Sequence, residues 1–163
     1  MTRYPLILGI GNYLMGDEGV GVHAIRALEE EILPPSVRLL DGGTGGFHLL
    51  SLFQEYDPII VIDATMDQKP AGTVTLTEPR FASDFPRTLS AHDIGLRDLL
   101  ESASLVGSLP KLFLITVSIE AIQSMSMDLS VPVQESLPEV VEVVRRIMQT
   151  IGTPGDSDLH GGE

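Results

Sequence analysis

The sequence predicts an α/β fold: a three-layer sandwich with a central, mostly parallel, five-stranded twisted sheet and helices on both faces. Three observations carry this prediction. Apolar runs of strand length alternate with stretches of helical periodicity. Strands that alternate with helices imply right-handed parallel crossovers. The run Ile59-Ile60-Val61-Ile62 is apolar at every position, as a strand covered on both faces requires.

The elements follow in order. Pro5 to Ile10 reads as a buried strand. Gly19 to Leu33 reads as a helix, with Val22, Ile25, Leu28 and Ile32 or Leu33 along one face, and Pro34-Pro35 stops it. Val37 to Leu40 is a short second strand that ends at Asp41. The glycine-rich stretch Gly42-Gly43-Thr44-Gly45-Gly46 leads into a helix through about Glu55. Ile59 to Ile62 is the third strand, ended by Asp63. After a turn at Pro70-Ala71-Gly72, the alternation of Thr73 to Thr77 suggests an edge strand. Pro79 to Leu89 reads as irregular, Ile94 to about Ala103 as a helix and Leu112 to Ile119 as a further buried strand. Met125 to Ser130 is a loop rich in Met and Ser. The last helix runs to about Ile151, with Val140, Val144, Ile147, Met148 and Ile151 as its apolar stripe. Two starts compete for it. One is the capping box Ser136-Leu137-Pro138-Glu139; the other is Ser130 with Pro132 in the first turn, which leaves Pro138 as a kink.

A chain of 163 residues suits one domain, here residues 1–151, followed by a polar, glycine-rich tail over 152–163 that is expected to be flexible. Hydrophobic residues make up 43%, enough for a core, and without Trp that core must be mostly aliphatic. A net charge of −13 disfavours nucleic acid and anionic membranes as partners, since no basic face can neutralise phosphates. The absence of Cys removes disulfides, thiolate catalysis and thiolate metal sites, so any metal must take oxygen and nitrogen ligands. Met1 to Pro5 enters a strand at once, without the charged and apolar regions of a secretory signal, and the apolar runs are too short to span a bilayer. The expected location is the cytoplasm.

Three side chains fall where such a sheet would present them together. Glu18 lies in the Gly9-to-Gly19 connection, Asp63 ends the third strand, and His92 lies in Ser90-Ala91-His92-Asp93, just before a helix. Ligands of open α/β sheets bind beyond the carboxyl ends of the strands, where strand order reverses. Singly, each residue has an ordinary structural role. Glu18 can serve the helix dipole, Asp63 an Asx turn and His92 a helix start. Jointly, two carboxylates and an imidazole make a divalent-metal site with room for water or substrate. Asp41 beside its glycines is a substrate-side carboxylate or a helix cap. His23, His48 and His160 are weaker ligand candidates.

Gly9-Ile10-Gly11-Asn12-Tyr13-Leu14 holds two glycines of the dinucleotide fingerprint, but Leu14 replaces the third and Asp17-Glu18 would repel a pyrophosphate. There is no H-E-x-x-H, no G-x-S-x-G and no P-loop.

The combination of Gly9 to Gly21 (G-I-G-N-x-L-x-x-D-E-G-x-G), Asp41 to Gly46 (D-G-G-T-x-G), Val61 to Ala64 (V-I-D-A) and Ser90 to Leu96 (S-x-H-D-I-G-L) resembles the [NiFe]-hydrogenase maturation endopeptidases. Order and spacing both match, from about residue 5 to 151. The resemblance implies a hydrolase, of aspartic or metal-dependent type. It would remove the C-terminal extension of a hydrogenase large-subunit precursor after nickel insertion. It implies metal ligation, and catalysis, by Glu18, Asp63 and His92, with Asp41, Gly42, Gly43 and Thr44 meeting the substrate. Nickel is the implied metal, held by the protein or borne by the substrate, and zinc or cadmium would suit the same ligands. The implied partner is the nickel-loaded precursor, and the expected state is a monomer. A non-catalytic, nickel-sensing checkpoint that binds the precursor is the alternative reading. Asp17, Asp41 and Asp93 stand equal as helpers in proton transfer.

Overall fold

The computed structural model describes residues 3–43, 49–80, 84, 105 and 109–151. Strand β1 spans Tyr4–Gly9, and a 3-10 turn at Gly16–Gly19 runs directly into helix α1, Val20–Glu29. Then come β2 (Arg38–Asp41), α2 (Leu49–Glu55), β3 (Tyr56–Thr65), β4 (Val74–Thr77), β5 (Leu112–Ser118) and α3 (Val131–Ile151). The five strands form one sheet in the order β2-β1-β3-β5-β4. The first four are parallel, and β4 closes the edge antiparallel to β5. The α/β sandwich is therefore as the sequence predicts.

Alternation along each strand sorts its side chains to two faces. Ile7, Ile60, Ile62, Phe113 and Ile115 bury against α1 and α3. Leu6, Leu8, Ile59, Val61 and Leu114 bury on the opposite face with Phe53 of α2. Helices thus cover both sides, and the inner strands are apolar throughout for that reason.

Several boundaries differ from the sequence reading, and one that it left open is decided. Helix α1 ends at Glu29 rather than Leu33. Glu29, Glu30 and Glu31 would sit at its negative end, and the two prolines beyond favour extended backbone. As a result Ile32 is 98% exposed, while Leu33 still packs on the core. Strand β3 runs past Ile62, because β5 pairs with it through Asp63↔Thr116, Ala64↔Val117 and Thr65↔Ser118. Helix α3 starts at Val131, so the start beside Ser130 and Pro132 prevails and Pro138 lies inside the helix. Ser136 is buried and its hydroxyl donates to the Val133 carbonyl (2.6 Å), a bond made within the helix rather than at a cap. The expected helix Ile94–Ala103, most of residues 79–89 and the tail 152–163 lie outside the described residues. No helix among the described residues is long and apolar enough to cross a membrane.

Candidate functional site

The chain leaves β1 for β2 on one side and returns to β3 on the other, so strand order reverses between β1 and β3. At such a switch point the two connections diverge and open a crevice beyond the strand ends. The sequence sends Glu18 and Asp63 there. In register, Gly9 of β1 faces Ile62 of β3 on one side and Asp41 of β2 on the other. Asp63 is thus one residue past the last paired position of β1, and Asp41 stands level with Ile62, one residue short of it, across the central strand.

Glycines make this crowding possible. A Cβ on Gly21 would lie 2.5 Å from the Ile62 carbonyl oxygen, so α1 begins directly against the end of β3. Gly11 adopts φ +146°, and a Cβ there would collide with the Glu18 carbonyl. The connection therefore folds back on itself and brings Glu18 to the strand ends. Ile10 N donates to the Ile62 carbonyl (2.9 Å), Gly11 N to Gly43 (2.7 Å) and Gly42 N to Gly9 (2.8 Å). These bonds lace the three connections together at the rim.

Glu18 is 1% exposed and Asp63 is fully buried. Asp63 Oδ1 accepts from Ala64 N at 2.8 Å. Withdrawing two carboxylates from water costs several kcal/mol for each ion unless a counter-charge or hydrogen bonds compensate. A divalent cation is a counter-charge that this donor set suits: hard oxygen ligands, with an imidazole nitrogen for a borderline ion such as nickel or zinc. Among the described residues, no three His, Asp or Glu side chains are grouped to hold a metal ion. The third expected ligand, His92, lies outside the described residues, as do Thr44, Asp93, His48 and His160.

Asp41 is exposed, and its Oδ1 accepts from Gly43 N (2.8 Å), an Asx turn that fixes the half-buried Gly42 and Gly43. Gly43 takes φ +56° with nothing within 4 Å of where a Cβ would sit. Of the expected substrate-side residues, Asp41, Gly42 and Gly43 therefore share one accessible turn beside the crevice. Asp17 differs from both. It is 2% exposed and accepts from Ser130 N and Ser130 Oγ, each at 2.7 Å. His23 is not in this group. Its ring stacks on Tyr13 with centroids 4.9 Å apart, and its Nε2 donates to the Met127 carbonyl at 3.0 Å.

Sequence reasoning missed Thr116. It pairs with Asp63 in register and shares its face of the sheet, which makes its hydroxyl a neighbour of the crevice. Its only signal was that it is, with Ser118, one of two polar residues in a strand apolar elsewhere. The bracing by Gln123, Ser126 and Ser130 was also missed, because more than a hundred residues separate them from the loop they hold.

A family model described as hydrogenase maturation protease matches residues 22–147. The chain is 38% identical over 109 residues to the hydrogenase 2 maturation protease of Escherichia coli (strain K12), covering 65% of this chain and 66% of that protein. It is 36% identical over 153 residues to the hydrogenase expression/formation protein HoxM of Azotobacter vinelandii, covering 90% and 73%. The solved structure of the hydrogenase maturating endopeptidase HybD from E. coli superposes with a TM-score of 0.84 at 32% identity. That match covers 96% of this chain and 99% of that one.

Proposed function

The chain belongs to the hydrogenase maturation protease family, and from that membership and the site we propose that it cleaves the C-terminal extension from a [NiFe]-hydrogenase large-subunit precursor once nickel has been inserted. The observation that carries the chemistry is the withdrawal of Glu18 and Asp63 from water at the β1/β3 switch point. Glu18, Asp63 and His92 would hold the metal. When bound, a divalent ion there supplies a Lewis acid for the scissile carbonyl and lowers the pKa of water. The protein's own residues do the rest. The Asx turn at Asp41 presents half-buried glycines beside the crevice, with no side chain there to obstruct an approaching peptide. Asp41 adds a carboxylate at the edge of the crevice, where it can meet the substrate or its nickel. The buried walls around Asp63 exclude bulk water. Nickel carried by the precursor would make cleavage self-timed, because a precursor without it would lack the group that the carboxylates and imidazole grip.

Intact-mass analysis of a nickel-loaded and a nickel-free precursor tests the reading, with wild type, Glu18→Gln, Asp63→Asn and His92→Ala as enzymes. Loss of a C-terminal peptide only with nickel, and only with wild type, is the expected result. Cleavage by all three variants would refute the three-residue site. Binding without cleavage by wild type would leave a nickel-sensing checkpoint in place of a protease.

A further inference from the structure

We propose that Asp17 is a positioning residue: with Ser130 and Gln123 it clasps the Glu18 loop to the far end of the chain and fixes Glu18 for its ligand. This rests on the reading of Glu18 as a ligand. Asp17 and Glu18 are adjacent and both buried, yet the carboxylate of Asp17 is committed elsewhere. Besides its two bonds from Ser130, it accepts from Gln123 Nε2 at 3.4 Å, and its own N–H donates to Gln123 Oε1 at 2.9 Å. It caps no helix, since neither the 3-10 turn nor α1 has a side-chain cap. Gly16 N donates to the Ser126 carbonyl (2.7 Å) and Ser126 N to Leu14 (2.9 Å), so a short parallel bridge continues the clasp. On its other side, Glu18 is followed by Gly19, where a Cβ would lie 2.9 Å from the Tyr13 Cα. The Glu18 backbone is therefore gripped from both neighbours, and its carboxylate reaches the crevice from a fixed origin. A ligand held so loses little freedom when it binds.

Asn cannot replace Asp17 fully. With its amide toward Ser130 N it sets donor against donor; turned the other way, it removes the acceptor of Gln123. The least disruptive probe is Ser130→Ala, which deletes one donor and leaves the backbone bond, with Ser130→Thr as the conservative rescue. The readouts are hydrogen exchange at the Gly16 and Asp17 amides, and Ni2+ affinity by calorimetry, far below the unfolding temperature. Ser130→Ala is expected to speed exchange at both amides and weaken Ni2+ binding, each about tenfold. Asp17→Asn should do the same more strongly, and Ser130→Thr should restore both. Should wild type take up no free Ni2+, the comparison is read in kcat on nickel-loaded precursor, with KM unchanged. Unaltered exchange would overturn the clasp. Unaltered Ni2+ affinity in Ser130→Ala, beside a clear loss in Glu18→Gln, would overturn the positioning role alone. Wild-type affinity in Glu18→Gln would overturn the ligand reading and the proposal with it.

Discussion

The two glycine-rich connections at the rim of the sheet, β1–α1 and β2–α2, are built in opposite ways. Residues Gly16 to Gly19 of the first are all buried, run directly into α1 and are bonded to the 123–130 segment. The described part of the second, Asp41 to Gly43, is exposed to half-buried and is held by its own Asx turn and by backbone bonds to Gly9 and Gly11. The difference matches what each is proposed to do. A metal ligand needs one fixed position, whereas a surface that receives an extended peptide must stay reachable and free of bulk. Rigidity and access are thus divided between neighbouring loops instead of being balanced within one.

Substitutions can break that contrast. The largest effect is expected for Gly11→Val, because the added side chain meets the carbonyl of Glu18, which is backbone and cannot turn aside, at a position with φ +146°. We expect a loss of about 3 kcal/mol in denaturant unfolding. Gly43→Ala sits in open space and suffers only its left-handed φ, so about 1 kcal/mol is expected by the same measurement. Equal losses would erase the distinction between the loops. Asp41→Ala removes one exposed hydrogen bond, and stability should fall by about 0.5 kcal/mol. Precursor cleavage should nevertheless drop about a hundredfold through KM, read from steady-state kinetics; an unchanged KM would remove Asp41 from the substrate side.

The smallest effect concerns His23, at the border of the braced loop. Burial holds its imidazole below the ordinary value, against the Met127 carbonyl bond, which acts the other way. The folded chain then binds fewer protons than the unfolded one. The stabilising contribution is full above the unfolded value, about 6.5, and is lost as pH falls through the folded one. His23→Gln should flatten the decline of stability below that pH in thermal melts, and an unaltered slope would mean that the ring is not restrained by burial.

Much of the fold was legible because its cause is local. Ile59 to Ile62 and Leu112 to Ile119 are apolar at nearly every position, and only strands covered twice read so. Strand ends were less so: β3 extends to Thr65 because β5 lies beside it, a fact that no residue of β3 announces. The end of α1 was readable in hindsight from three glutamates at a negative pole, yet the apolar period through Ile32 outweighed them. In the candidate site, the placement of Glu18 and Asp63 at the rim was legible from their position relative to the strands. Thr116 and the hydrogen bonds of Asp17 escaped, since both depend on pairing across the sheet or across the whole chain.

The clasp between Asp17 and Ser130 spans 113 residues, which bears on when the rim matures. A chain made from its N-terminus holds Glu18 and Asp63 long before it holds Ser130. Closing so long a loop comes late in folding, because its entropy must be met before the contact gives anything back. A half-made protein would carry both carboxylates with no brace to aim them. The order of synthesis would then keep the rim unfinished until Ser130, just before the last helix, has been made.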